Sequence, residues 1–242
     1  MFSLKSRINK FKKIDIFVAL YIFGVVVAAL MGVKVVPLGS LFGLNFNISV
    51  AIFLLPLIFT LTDAVNEIYG KTRAKQLVWL GVGVQILLVL FIWLATSLPH
   101  AARFEPLNGS YNAIFGISVR FALASISAFA VSGILDVLIF SRLKRISKGK
   151  FVWLRSNVSN FASALIDTTV FMTVAYYGFF VEGFSANVLW LAGLILPYWI
   201  MKCVMSAIST PLIYAGIKYL RKEKTDDRAT KRVERKQVFF PE

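Results

Sequence analysis

Long apolar runs separated by short polar clusters set the rhythm of this chain, over about 14–34, 47–66, 75–98, 115–140, 157–180 and 187–217. Each run is long enough, at about 1.5 Å per residue, to cross roughly 30 Å of hydrocarbon as a helix. The pattern predicts an all-α polytopic membrane protein with six transmembrane helices. The first block, Ile14–Val36, is too long for a signal-peptide core and has no small-residue cleavage site, so it reads as a retained span. Its small residues Gly24, Ala28, Ala29 and Gly32 allow close approach of another helix. The second span follows an outer loop at Pro37–Asn45 and ends in the polar stretch from Thr62 to Gly70. The third carries Gln85 near its centre and stops at Pro99. The sixth contains Pro197 and Pro211, which predict kinks and freed carbonyls.

Composition sharpens the picture. Of 242 residues, 58% are hydrophobic and 16% charged, against about 45–50% and about 25% in soluble domains. A soluble enzyme and a disordered chain are both excluded. The net charge of +15 suggests nucleic-acid binding until the cations are placed. All but Lys34, Arg103, Arg120 and Lys202 fall in the N-terminal segment, the 2–3 loop, the 4–5 loop or the tail, which the span map puts on one side. By the positive-inside rule both termini are cytoplasmic, as an even number of spans requires. The surplus charge is then a topology label with some attraction to anionic lipid, and no nucleic-acid partner is expected. Residues 1–220 form the transmembrane domain and 221–242 a charged cytoplasmic tail, whose composition predicts disorder or a position on the membrane surface. The lone Cys203 forms no intrachain disulfide, His100 has no metal-ligand partners, and no cofactor or metal is expected.

The informative charges are those left inside the spans: Asp63, Asp136, Asp167 and Lys202. A charge at the bilayer centre costs about 2.5–3.5 kcal/mol on insertion scales, so such residues face a bundle interior or a wet cavity. A short echo surrounds two of them: Ser132, Asp136 and Phe140 recur as Ser163, Asp167 and Phe171 on adjacent antiparallel spans. Asn160 extends the face of Asp167; Tyr198, Lys202, Ser206 and Ser209 form a stripe on span six, and Thr60, Asp63 and Glu67 another on span two. These stripes are expected to converge on one cavity. Structural readings stand beside this one. Asp167 and Lys202 could pair only to fix packing, Asp136 could reach the surface near Arg142, and Asp63 with Glu67 could form a helix-end cluster beside Lys71 and Arg73. Ser132, Ser163, Phe140 and Phe171 read more readily as packing residues.

Several of these residues belong to a longer ordered set. Pro56 and the run from Thr62 to Ala74 are followed by Ile134-Leu135-Asp136, Trp153 to Asn157, Ile166-Asp167-Thr168, Lys202, and Pro211 to Tyr214. In order and spacing they resemble the queuosine-precursor transporter family, also called the vitamin uptake transporter family, across essentially all six spans. The resemblance implies uptake of 7-cyano- or 7-aminomethyl-7-deazaguanine, or of queuine, across a bacterial inner membrane. It departs at two positions: the amide common three residues before each membrane aspartate is Gly133 and Ala164 here. If those amides read the base, their loss alters which precursor is carried.

The chemistry of such a ligand fits these residues. A guanine-like edge offers N1–H and an exocyclic amine in parallel, and a carboxylate accepts both. Asp167 or Asp136 is expected on that edge, Lys202 or Asn160 on O6, and Phe171, Tyr198 or Trp199 stacked on the ring at about 1–3 kcal/mol per base. Asp63, Glu67, Arg73 and Arg155 are expected to act in gating or coupling. The rival classes are an intramembrane enzyme, for which the motifs are missing, a binding subunit of an energy-coupling-factor-type vitamin importer, and a carrier of another nucleobase or vitamin. A homodimer and an energising partner both stay open.

Overall fold

The computed structural model describes residues 12–32, 34–41, 44–116, 119–177 and 183–239; the N-terminal cations Lys5, Arg7 and Lys10 lie outside them. In chain order the elements are α1 (Lys13–Met31), β1 (Val35–Leu41), β2 (Leu44–Ser49), α2 (Leu55–Tyr69), α3 (Lys71–Ser97), α4 (Glu105–Phe115), α5 (Val119–Ile146), α6 (Val152–Tyr176) and α7 (Phe184–Phe239). Among the described residues six helices are long and apolar enough to cross a membrane: α1, a tight turn running into α2 over Val50–Tyr69, α3, α5, α6 and the Phe184–Lys222 part of α7. These correspond to the six apolar runs.

Two elements were not expected. The loop after α1 is an antiparallel hairpin in which Val35 pairs with Ser49 and Leu41 with Leu44, interrupted between Pro37 and Ser40. The helix cannot continue there because β-branched Val35 and Val36 lead into Pro37, which lacks the amide hydrogen a helix needs. Ser49 donates its hydroxyl to the Gly32 carbonyl at 2.7 Å and so ties the hairpin to the end of α1. The second is α4, which starts with Pro106 in its first turn, a position where proline costs nothing. Through the charged tail the backbone of α7 continues as helix to Phe239. No glycine or proline occurs between Gly216 and Pro241, and Lys, Arg and Glu are good helix formers.

The corner between α2 and α3 is one residue, Gly70, at φ 86° and ψ 173°. Only glycine occupies that region without strain. The tight corner lays α2 against α3, and the core that follows joins Phe17, Tyr21 and Val25 of α1 to Leu61 and Val65 of α2, Leu77 and Val78 of α3, and Ile213 and Ile217 of α7. Large apolar side chains such as Leu87, Phe91, Trp93 and Leu189 stand on the outer faces, as lipid contact requires. The α5–α6 pair is antiparallel, and α6 brings a row of buried polar side chains, Arg155, Ser156, Ser159, Asn160 and Ser163, to the interior.

Candidate functional site

The inner faces of α1, α2, α3, α5, α6 and α7 enclose a cavity of about 140 Å³. Asp136, Asp167 and Lys202 all line it, with Ser132, Ser163 and Gln85. Three of the four membrane charges therefore meet at one place. Lys202 donates to Asp167 Oδ2 at 2.5 Å, and Ser132 donates to Asp167 Oδ1 at 3.0 Å. Ser163 donates to Asp136 Oδ1 at 3.4 Å. The echo is thus a crossed latch: each serine on one helix serves the aspartate of the other, a local two-fold arrangement. Ser132 and Ser163 do more here than pack.

The two aspartates are not equivalent. Asp167 is matched by Lys202, whose ammonium also lies 5.1 Å from the Tyr198 ring centroid. Asp136 is only 5% exposed and does not snorkel to the surface. Among the described residues it forms no ion pair. Such a carboxylate has acceptor capacity left for a donor-rich ligand.

A second polar cluster lies toward the cation-rich end. Asp63, fully buried on α2, accepts hydrogen bonds from the Ser156 hydroxyl and, at 3.5 Å, from Asn160 Nδ2. Asn66 donates to the Val137 carbonyl at 3.2 Å and accepts from Ser141 at 3.0 Å. Glu67 receives Arg155 Nη2 at 2.9 Å and Lys144 Nζ at 3.0 Å. Lys144 also caps α2 through the Glu67 carbonyl at 2.6 Å. Arg155 is 1% exposed and lies over the Phe140 ring at 5.2 Å. Arg73 is outside this cluster, exposed and bonded to Gln76 at 3.0 Å.

A family profile described as "Putative vitamin uptake transporter" matches residues 49–216, which hold every one of these contacts. The chain belongs to the vitamin uptake transporter family. Among its relatives, a "Probable queuosine precursor transporter" of Bacillus subtilis is 35% identical over 199 residues, 82% of each chain. A protein of the same description from Haemophilus influenzae is 27% identical over 60% of this chain and 58% of its own. A "Queuosine precursor transporter" of Escherichia coli is 29% identical over 55% of this chain and 58% of its own. No solved structure matches.

In this chain other expected residues stand elsewhere. Asn160 is with Asp63 and not among the residues lining the cavity. Trp199 turns its indole N–H to the Phe161 carbonyl at 2.9 Å, and Phe171 packs edge-on against Tyr176. The rings that do line the cavity are Tyr21, Phe59 and Phe129. Gly133 and Ala164 line it too; a Cβ on Gly133 would come 2.8 Å from Val78, so α5 lies tight on α3 there. The amide in this cavity is Gln85 of α3, whose Oε1 is buried without a hydrogen-bond partner. In sequence it was one amide in an apolar run, with nothing to mark its facing.

Proposed function

We propose that this protein imports a 7-deazaguanine precursor of queuosine, such as the 7-cyano or 7-aminomethyl base, across a bacterial inner membrane, with both termini in the cytoplasm. The observation that carries this reading is the cavity with two carboxylates, only one of them matched by a cation. Asp136 accepts the parallel donors N1–H and exocyclic amine. Lys202, held by Asp167 in the cavity lining, donates to O6, and the Gln85 amide is a second reader of the base edge. Phe59 and Phe129 supply the ring faces for stacking. The descriptions of the relatives support the same ligand class. Glu67, Arg155 and Lys144 join α2, α5 and α6 at the cation-rich end and serve as the gate on that side.

The test is a binding screen of the purified full chain against 7-deazaguanines, purines and vitamins by calorimetry or thermal shift. Deazaguanines are expected to bind and vitamins not. Asp136→Asn should weaken binding by about 10–100-fold, because hydrogen bonds to a charged group contribute about 1.5–3 kcal/mol. Vitamin binding without deazaguanine binding, or an Asp136→Asn variant with wild-type affinity, would refute the assignment.

A further inference from the structure

Asp63 has no exposed surface, and none of the ion pairs among the described residues includes it. Its Oδ2 receives Ser156 and Asn160, while its Oδ1 is buried with no partner; Asn160 Oδ1 is likewise unpartnered. A lone carboxylate in such a place is costly as an anion and stable only when something neutralises it. The groups around it are Asp136 of α5 and Arg155 of α6, with Glu67 a turn further along α2 and engaged by both Arg155 and Lys144. From α1 the titratable neighbour is Tyr21 at the cavity, and α3 and α7 bring core residues such as Leu77 and Ile213.

A polar face of α6 runs between Asp63 and the cavity. Ser156, Ser159, Asn160 and Ser163 repeat at i, i+3, i+4 and i+7 on one buried face of α6. Asn160 Nδ2 donates to Ser156 Oγ at 3.2 Å, and Ser163 reaches Asp136 at the other end. The stripe is bridged through the backbone, where Ser163 Oγ also donates to the Asn160 carbonyl at 3.2 Å, so polar groups line α6 from the cavity carboxylate to the buried one.

We propose that Asp63 is the coupling site of this carrier and that its ligand is a proton, taken up through the cavity and the α6 stripe and released toward the cation-rich end. The inference rests on the transport reading above and adds the energy source. A metal cation is the poorer occupant, because it asks for about six oxygens. Here Ser156 and Asn160 aim donors at Oδ2, leaving two unpartnered oxygens.

The experiment uses the full chain in liposomes with labelled 7-aminomethyl- or 7-cyano-7-deazaguanine. An inward proton gradient is expected to drive accumulation, abolished by a protonophore. For one proton per neutral substrate the ceiling is about 100-fold at a gradient of about two pH units. A sodium gradient alone should drive none. Asp63→Asn should keep counterflow exchange while losing acid-driven accumulation. Ser156→Ala, which keeps the carboxyl but removes a donor to it, should shift the midpoint of the uptake–pH curve. Wild-type uptake indifferent to the proton gradient, uptake driven by sodium, an Asp63→Asn variant that still accumulates, or an unmoved midpoint in Ser156→Ala would each overturn the proposal. Wild-type liposomes without counterflow of any deazaguanine would sink the transport reading and this inference together, which separates the two failures.

Discussion

Lys202 and Asp167 hold each other at 2.5 Å on the cavity wall, so neither can be changed alone without consequence for the other. Removing the lysine leaves Asp167 unmatched in a mostly apolar surround. A fully buried broken pair costs about 3–5 kcal/mol, and the 28% exposure of the Asp167 side chain reduces this. We expect Lys202→Met to lower the melting temperature in detergent, and Lys202→Met with Asp167→Asn to recover much of the loss. Equal melting of the single and double variants would mean that the pair carries little structural weight. Asp136, Asp167 and Lys202 were legible in the sequence because a charge in an apolar run stands out. The rings of Tyr21, Phe59 and Phe129 were not, since lipid-facing and cavity-facing aromatics look alike where every side of a helix is apolar. Asn160 shared a face with Asp167, but its partner depends on how α2 docks, which spacing along one helix does not encode.

At the level of elements, the apolar runs marked the spans well because the bilayer demands unbroken length. The hairpin at 35–49 was hidden: its valines and isoleucine extend the apolar signal of the neighbouring helices, and its alternation is short. The α2–α3 corner is the most exacting connection in the fold. Gly70→Ala forces a side chain into a region that only glycine visits easily. The cost is expected at about 1–3 kcal/mol, read as a lower melting temperature and lower yield of folded protein. Gly83, on the open face of α3 where an added Cβ meets nothing within 4 Å, is the control position, and Gly83→Ala should be tolerated.

For the whole molecule, the cations gather at one end. Lys13 of α1 reaches the Tyr219 carbonyl of α7 at 3.4 Å, and Lys144 and Arg155 meet on Glu67. With the positive-inside rule this predicts that a fluorescent reporter that folds only in the cytoplasm will light up when fused to either terminus. Alkaline phosphatase, active only outside, should work when inserted near α4. The reverse pattern would invert the orientation. The same asymmetry bears on how the bundle can move. In the crossed latch, Ser132 stands opposite Asp167 and Asp136 opposite Ser163. If α5 slips along α6 by one turn, about 5.4 Å, one sense brings Asp136 opposite Ser159, another hydroxyl. The other sense brings Asp136 opposite Asp167, two anions face to face. Sliding in the second sense is opposed by charge unless one carboxylate is neutral, and sliding in the first takes Ser132 away from Asp167.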